Sequence, residues 1–481
     1  MISLRGLTTF GEVAAEDEPV LDYFLTTDTV RRIADNEVLI VLGRKGSGKT
    51  AIVRHFAESG DTASSRALNL GSYPWNVHQR RRDLGASEIE AYVESWRYLI
   101  SVELAALALR QSGLKNSEPA KSLVKFLEQN YGGIDPEIGD ILRPDKLTLQ
   151  GLSFAPQVLG NALGSIALER SNTDHRLGRE LGALADALIN AVLEISRQTN
   201  LERLLLHFDE LDRGLTQLDT PRAEMLTGLV LAARAIRAAC SDAPITIAPV
   251  VYLRSDLWDE LKFSDKNKIE QTAALTIEWN PSSLLALVEE RIKAKLGEAA
   301  SWDWVTDNRL MRGSQSKWHH IIARTFLRPR DVIAFLNATL VQARKRPVEP
   351  LIFINEDVTK ARESYSPYLK KELEDEIPAH WPQWEEGLRA CAAAQTLTFD
   401  KAEFVRHYEA RRSSGNPRTA DEALETLYSF SVIGYQRRSG YGGSSWAFHY
   451  TDPEAGWDPS ATRLKVHLGL KEYAKLREER S

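Results

Sequence analysis

The chain has few of the residues that mark secreted, metal-binding or membrane proteins. Its 481 residues include two cysteines, Cys240 and Cys391, which stand far apart and outside any cysteine–histidine cluster. This pattern implies no disulfide framework and no zinc site, and it favours a reducing compartment. No run approaches the ~18 consecutive apolar residues of a membrane span. Residues 1–7 also lack the apolar segment of a signal peptide. We therefore expect a cytoplasmic protein without a membrane partner.

An excess of positive charge is also missing. The 61 Lys and Arg residues are outnumbered by 67 Asp and Glu residues, which gives a formal net charge of -6. This balance does not indicate nucleic-acid binding by the chain as a whole, although a local basic patch is compatible with it. Gln79–Arg82 is such a short basic cluster, and a solvated helix surface also explains it. The length is typical of about three domains.

The clearest signal present is a phosphate-binding loop with the pattern G-x-x-x-x-G-K-T. An apolar run at Val38–Leu42 precedes it and a helical segment at Ala51–Phe56 follows, which is the context that the motif requires. Glycines let backbone N–H groups surround phosphate oxygens, and the helix start adds partial positive charge. We expect Lys49 to contact the β- and γ-phosphates and the Thr50 hydroxyl to bind Mg²⁺. The predicted nucleotide-binding residues of the loop are Gly43, Arg44, Lys45, Gly46, Ser47, Gly48, Lys49 and Thr50.

A pair of acids follows a second buried-type strand. Leu204–Phe208 is apolar apart from His207, and Asp209 and Glu210 come directly after it. Ligands bind beyond the carboxyl ends of parallel strands, so these acids should lie beside the phosphate loop. We expect Asp209 to hold Mg²⁺ through water and Glu210 to orient the attacking water. Asp212 is acidic too, so the sequence leaves open which carboxylate acts as the base.

Three arginines are candidates for reading the γ-phosphate. Arg254 follows the strand Ile245–Leu253, where a cation would face the phosphate from a neighbouring strand, although a surface arginine is the alternative. Arg328 and Arg330 open a later helix. Basic residues at a helix start oppose its dipole and invite an anion. That anion is either the nucleotide or a carboxylate of the same lid.

Changes in pattern along the chain predict its domain organisation. The predicted segments are a lead-in at 1–36, a P-loop ATPase core at 37–280 with a helical insertion at about 77–200, a helical lid at 281–375, and a winged-helix-like domain at 376–481. The predicted fold class is therefore α/β, with a parallel sheet in the core. The last segment shows three helices and a β-hairpin whose wing carries Arg437, Arg438 and Tyr441. Its third helix carries Asp421, Glu422 and Glu425, which disfavours DNA reading and favours protein contact.

Together these motifs resemble AAA+/STAND-like P-loop ATPases. With Phe10-Gly11, Ala15–Glu18, the phosphate loop and the D-E-L-D-R-G segment, the chain is similar to a poorly characterised bacterial group that is often linked to defence against phage and other mobile elements. The resemblance implies γ-phosphate contacts for Arg254 and for Arg328 or Arg330. The chain departs from the common AAA+ pattern in lacking Asn or Thr at the sensor position and in showing no unambiguous arginine finger.

The sequence thus predicts a Mg²⁺-dependent switch that binds and hydrolyses ATP, with Glu210, Lys49 and Arg254 as catalytic residues. It would couple the nucleotide state to homo-oligomer formation or to a protein partner. The alternative is an initiator-like or partition-like ATPase that binds DNA through the winged helix. Two further hypotheses are a scaffold that keeps nucleotide as structure and an effector activity in the insertion. The insertion shows no Ser-His-Asp, Cys-His, metal or nuclease constellation.

Overall fold

The structure is a computed structural model of the chain. It describes residues 3–12, 17–59, 64–70, 88–112, 117–142, 144, 146–150, 152–154, 157–158, 161–167, 176–199, 201–213, 218–438 and 444–478. The basic cluster Gln79–Arg82, Tyr441 and the Arg438 side chain lie outside this description. The chain divides into two compact units. The core unit comprises Thr26–Arg44 and Lys49–Ile277, and the C-terminal unit comprises Met1–Leu25, Lys45–Gly48 and Glu278–Ser481.

A five-stranded parallel sheet forms the centre of the core unit. Its strands are β1 (Ile40–Leu42), β2 (Ser65–Asn69), β7 (Arg203–Asp209), β8 (Thr246–Leu253) and β9 (Ala274–Thr276), in the order β2-β7-β8-β1-β9. Every neighbouring pair is parallel. Continuous apolar runs such as Leu204–Phe208 suit such strands because both faces of a parallel sheet are covered, and this run is buried. The predicted α/β class with a parallel sheet is confirmed.

Helices of the core unit pack on this sheet and fix its loops. They include α1 (Asp28–Ala34), α2 (Lys49–Glu58), α7 (Thr220–Ala239), α8 (Ser255–Glu260) and α9 (Lys266–Ala273). The Phe56 ring of α2 stacks on the His207 ring of β7, with 5.0 Å between centroids. His207 Nδ1 lies 2.9 Å from the Tyr252 hydroxyl of β8. Burial lowers the pKa of His207 to about 3, so this imidazole is neutral. The packing joins α2 to β7, and His207 in turn links β7 to β8.

The predicted helical insertion lies between β2 and β7. Its helices are α3 (Glu88–Ser112), α4 (Glu118–Tyr131), α5 (Ile138–Leu142) and α6 (Arg176–Gln198). Helix α3 packs against both α6 and α7, which suits a helix that is apolar on nearly all sides. Trp96 Nε1 of α3 donates to the Met225 carbonyl of α7 at 3.0 Å. The insertion also holds β3 (Lys146–Thr148), β4 (Gln157–Val158), β5 (Asn161–Ala162) and β6 (Ser165–Ala167). The sequence analysis did not predict these strands, since two or three residues show no period.

The C-terminal unit contains four lid helices: α10 (Pro281–Leu296), α11 (Lys317–Ile322), α12 (Pro329–Arg344) and α13 (Asn355–Glu376). The N-terminal segment of the chain packs on α10. Glu18 Oε1 accepts from Arg291 Nη1 at 3.1 Å, and both side chains are buried. The Arg291 guanidinium lies over the Tyr23 ring, 4.5 Å from its centroid. Residues 1–25 of the predicted lead-in are therefore part of the C-terminal unit, whereas the rest of it belongs to the core unit.

The rest of this unit has the predicted winged-helix arrangement. It contains α14 (Trp384–Ala393), β10 (Thr398–Asp400), α15 (Lys401–Glu409), α16 (Ala420–Ser429), β11 (Ile433–Arg438), β12 (Ser444–Ala447) and β13 (Arg463–Val466). The sheet order is β10-β13-β11-β12, and every pairing is antiparallel. One apolar cluster includes Leu336 of the lid, Trp381 and Leu464 of β13. The boundaries predicted at residues 36, 280 and 375 remain predictions. No helix within the described part of the chain is long and apolar enough to cross a membrane.

Candidate nucleotide-binding site

Strand order brings the predicted site residues of the core unit to one edge of the sheet. Strand β8 lies between β1, which leads into the phosphate loop, and β7, which ends in Asp209. Leu42 pairs with Leu253 and Phe208 pairs with Val251, so the three strands end at about the same level. The Gly43 N–H donates to the Leu253 carbonyl at 3.2 Å. Gly43, Asp209 and Arg254 therefore share the carboxyl edge, where ligands of parallel sheets bind.

The phosphate loop has the backbone that its glycines allow. Gly46 has φ +79° and Gly48 has φ +102°, both in the region that favours glycine. A Cβ added to Gly48 would meet no heavy atom within 4 Å, so the loop leaves open space at that residue. The Ser47 hydroxyl is buried without a hydrogen-bond partner among the described residues. Open space beside an unsatisfied polar group fits a phosphate ligand.

The Lys49 ammonium group points back into its own loop. Its Nζ donates to the Gly43 carbonyl at 2.7 Å and to the Arg44 carbonyl at 3.2 Å. Burial lowers the pKa of Lys49, while the nearby carboxylates of Asp212 and Asp209 oppose that shift. Two carbonyls are weak substitutes for an anion, so this amine is well placed to gain from a phosphate oxygen.

Thr50 and Asp209 meet, although 159 positions separate them in the sequence. The Thr50 hydroxyl is near enough to the Asp209 carboxyl to help lower its pKa. Burial raises the pKa of Asp209 to about 6, while the Glu210 backbone and the Thr50 hydroxyl act in the opposite direction. A hydroxyl and a carboxylate side by side are oxygen ligands of the kind that Mg²⁺ prefers. The residues present therefore fit the predicted metal, which would be held here by Thr50 and Asp209.

Glu210 follows in a strained backbone conformation. Its φ of 57° lies in the left-handed region, which non-glycine residues rarely adopt and which recurs at functional sites. Its side chain is mostly buried and accepts from Arg213 Nη1 through Oε2 at 2.8 Å. Asp212, the other candidate base, instead accepts from Arg254 Nη1 through Oδ2 at 3.4 Å. The two acids thus differ in their partners, and Asp212 is engaged by a predicted site residue.

Arg254 is buried at the end of β8. Its Nε and Nη2 donate to the two carboxylate oxygens of Asp256 at 3.0 and 2.5 Å, a two-pronged pair two residues along the chain. Its charge also acts on Lys49, whose pKa it helps to lower. The structure thus brings Arg254 close to Lys49 and Asp212 within the core unit. Sequence reasoning missed the role of Asp256, whose spacing from Arg254 was a usable signal.

The lid arginines are engaged within the C-terminal unit. Arg328 is buried, donating to both oxygens of Asp331 at 2.9 and 3.0 Å and to Glu376 Oε1 at 2.5 Å. Its Nη1 also donates to the Lys45 carbonyl at 3.0 Å. Arg330 Nη1 donates to Glu372 Oε2 at 3.1 Å. The contact with phosphates proposed for these arginines remains a prediction, and carboxylates of the lid are their partners here.

Two features of the C-terminal unit escaped the sequence analysis. Trp279 Nε1 donates to the Ser47 carbonyl at 2.8 Å. Lys45 Nζ donates to Asp375 Oδ2 at 2.5 Å. A signal existed for the second contact, because Glu372, Asp375 and Glu376 end α13, where negative charge opposes the helix dipole and calls for cations. No local pattern singles out Trp279.

One region of the chain matches a known protein family. A family model described as the FunZ-associated C-terminal helical domain matches residues 282–374, which is less than half of the chain and coincides with the four lid helices. No curated protein matches.

Two solved structures are similar at low level. The Orc1 protein of Aeropyrum pernix, in complex with DNA, is 12% identical, with 95% of this chain and 94% of that chain covered and a TM-score of 0.37. Cdc6p from Pyrobaculum aerophilum is also 12% identical, with 93% and 92% covered and a TM-score of 0.30. TM-scores below 0.5 do not establish a shared fold, so the assignment of fold and site stands on the strands, loop and side chains described above.

Proposed function

We propose that this chain is a Mg²⁺-dependent ATPase that couples its nucleotide state to self-association or to a protein partner. The observation that carries the proposal is the strand order, which sets Asp209 at the same edge of the sheet as the start of the phosphate loop, where the Thr50 hydroxyl helps to lower the pKa of the Asp209 carboxyl. It joins the start of the helix after the phosphate loop to the acidic strand end, which are the two elements that a nucleotide-bound Mg²⁺ requires. An isolated glycine-rich turn before a helix would have no reason to meet a buried acid in this way.

Each predicted site residue of the core unit has a proposed role that its surroundings support. Lys49 would exchange its two carbonyl contacts for phosphate oxygens. Thr50 and Asp209 would hold Mg²⁺, which neutralises charge on the phosphates when bound. Glu210 would accept a proton from the attacking water, and Arg254 would stabilise the charge that develops on the γ-phosphate. The loop amides of Gly43–Thr50 would surround the phosphates.

The phosphate loop supports the coupling half of the proposal. Residues Lys45–Gly48 belong to the C-terminal unit, whereas the residues on either side of them belong to the core unit. Within the C-terminal unit, Lys45 contacts Asp375 and Arg328. A ligand that contacts Lys45–Gly48 would therefore act on residues of the C-terminal unit. A nucleotide shifts such an equilibrium only through its differential affinity for the two states, and the γ-phosphate supplies that difference.

Nucleotide binding and turnover test the enzymatic half. Lys49→Ala should weaken ATP affinity by about 10- to 100-fold, since it removes charge-assisted hydrogen bonds. Glu210→Gln should leave ATP affinity near that of the wild type and slow hydrolysis by about 10²- to 10⁴-fold. Arg54→Ala is the matched control on α2, because Arg54 pairs with Glu58. Unchanged affinity in Lys49→Ala would show that the site assignment is wrong.

Molecular size tests the coupling half. We expect the mass in solution to differ between the ADP state and the state with a slowly hydrolysed ATP analogue, and Lys49→Ala should abolish the difference. An identical mass in both states would overturn the self-association version. A protein partner captured only in the ATP-analogue state would then carry the proposal instead.

The winged helix decides between the main proposal and the DNA-binding alternative. Asp421, Glu422 and Glu425 are exposed on α16, and Asp421 pairs with Lys401 at 2.7 Å. Phosphates would be repelled by that face, so we expect little affinity for duplex DNA at low salt, with or without ATP. Tight binding that falls steeply with salt would favour the DNA-binding alternative.

The most specific part of the proposal is a role in defence against phage, and it rests on the sequence resemblance. Its test is plaque formation on bacteria that carry the gene in its native neighbourhood. The wild type should reduce plaque numbers and Lys49→Ala should not. Equal plaque numbers for wild type and an empty vector, across a broad phage panel, would count against this role.

A further inference from the structure

Three consecutive carbonyls of the phosphate loop accept hydrogen bonds from Trp279, Arg328 and Arg330 of the C-terminal unit. Trp279 Nε1 donates to the Ser47 carbonyl at 2.8 Å, and Arg328 Nη1 donates to the Lys45 carbonyl at 3.0 Å. The Arg330 backbone N–H donates to the Gly46 carbonyl at 3.5 Å, the longest of the three. All of these residues belong to the C-terminal unit. One side of the loop is thus held by donors.

The geometry of the peptide bond gives this arrangement a consequence for the other side. In a trans peptide the C=O and the following N–H point in opposite directions. Fixing the Lys45, Gly46 and Ser47 carbonyls therefore directs the N–H groups of Gly46, Ser47 and Gly48 the other way. These are the amides that a phosphate loop offers to its anion. Donors placed in this way would act on phosphate binding through the backbone, without touching the ligand.

Trp279 differs from the two arginines because its side chain has a single hydrogen-bond donor. Arg328 and Arg330 also pair with carboxylates of the lid, so their loss would change several contacts. The indole has a single donor and no acceptor, and in this structure that donor goes to Ser47. The residue after Trp279 caps α10: the Asn280 side chain accepts from the backbone N–H groups of Ser282 and Ser283. The tryptophan is therefore carried by a well-defined helix start.

We propose that Trp279 is a positioning residue of the nucleotide site, which orients the Gly48 amide by holding the Ser47 carbonyl. This inference rests on the proposed function, because it presumes that the loop binds a nucleotide. It assigns a role in phosphate affinity to the first residues of the C-terminal unit. It also predicts that the indole N–H reports on the presence of a β-phosphate.

The test removes the N–H and keeps the aromatic ring. Trp279→Phe should weaken ADP affinity by about 3- to 10-fold, the range that one hydrogen bond spans. Affinity for adenosine, which has no phosphate, should be the same in variant and wild type. Trp318→Phe is the matched control, because Trp318 Nε1 donates to the Pro281 carbonyl at 3.0 Å within the same unit. It removes the same kind of bond and should leave ADP affinity unchanged.

A spectroscopic measurement separates positioning from general stability. In a ¹⁵N-labelled wild type, the indole signal that is missing from Trp279→Phe should exchange slowly with D₂O and shift on addition of ADP, whereas the Trp318 signal should not shift. A wild type that binds ADP, with equal affinity in Trp279→Phe, would overturn the positioning role and leave the proposed function intact. Equal weakening in both variants would also overturn it. A wild type that binds neither ADP nor ATP would overturn the proposed function and this role together.

Discussion

Arg254 and Arg328 are two buried arginines with similar sequence signals and different surroundings. Each was predicted to contact phosphates, and each is paired with two carboxylates. Around Arg328, the side chains of Asp331 and Glu376 are 0% and 3% exposed. Around Arg254, those of Asp212 and Asp256 are 29% and 20% exposed, and the Asp212 contact is long at 3.4 Å. Burial of the partners, rather than of the arginine, separates the two clusters.

That difference separates a structural arginine from one that can change partners. Burial alone would lower the pKa of Arg328, but Asp331 and Glu376 raise it well above its usual value. Moving this guanidinium onto a ligand would leave two buried carboxylates without a counter-charge, which is costly. Water reaches the partners of Arg254 and can compensate them. We therefore expect Arg328 to act mainly on stability and Arg254 mainly on turnover.

The largest expected effect is on stability at Arg328. Arg328→Ala should lower the free energy of unfolding by about 3–5 kcal/mol, the range for breaking a buried ion pair. Denaturant unfolding measures it, with Arg389→Ala as a control. Arg389 pairs with Glu385 at the surface, and such pairs contribute about 0–1 kcal/mol. A loss below about 1 kcal/mol with weaker ATP binding would reverse the comparison and make Arg328 a ligand residue.

The second prediction concerns turnover at Arg254. Arg254→Ala should slow ATP hydrolysis by about 10²- to 10³-fold, as expected for losing a charged donor aimed at the reacting phosphate. The midpoint of denaturant unfolding should change far less than in Arg328→Ala. Arg234→Ala, which removes a partly exposed cation paired with Asp265, should hydrolyse ATP like the wild type. Wild-type turnover in Arg254→Ala would remove its catalytic assignment.

The sequence could predict the strands and the edge of the sheet, but it could not predict the long-range contacts of the lid. Apolar runs such as Leu204–Phe208 can be recognised from local composition, which sets the length and burial of the strands that they form. The parallel sheet and the edge that bears Asp209 were therefore predictable. The pairing of Arg328 with Glu376 spans 48 positions, and that of Trp279 with Ser47 spans 232. Such contacts depend on how lid helices pack, which local periodicity does not encode. The proposed roles of all site residues remain predictions.

A third arginine sharpens the comparison through pH. Arg66 Nη1 lies 3.0 Å from Oε2 of Glu103, a residue of α3. The Glu103 side chain is fully buried. Burial raises the pKa of Glu103 from 4.5 to about 7, against the effect of Arg66. Between these values the folded chain binds more protons than the unfolded chain, so stability falls as pH rises. We expect a loss on the order of 2 kcal/mol from pH 5 to pH 8 in denaturant unfolding.

The control for this pH dependence is Glu103→Gln, which cannot titrate. Its stability should vary less between pH 5 and pH 8 than that of the wild type. An identical slope in both proteins would assign the dependence to another group. It would also mean that Arg66 holds the Glu103 charge as firmly as the lid acids hold that of Arg328.

The smallest expected effect is at Asp375, an exposed acid at the end of α13. Asp375 accepts from Lys45 of the phosphate loop, and its side chain is 62% exposed. Such a pair contributes about 0.2–1 kcal/mol, so Asp375→Asn should free Lys45 for phosphates and tighten ADP binding by up to about 5-fold. The gain should shrink at high salt, which screens exposed charges. Glu374→Gln, which removes a contact with Lys370 on the same helix, should leave ADP affinity unchanged. Weaker binding in Asp375→Asn would mean that this carboxylate orders the loop for its ligand, as Trp279 is proposed to do, rather than competing with that ligand for Lys45.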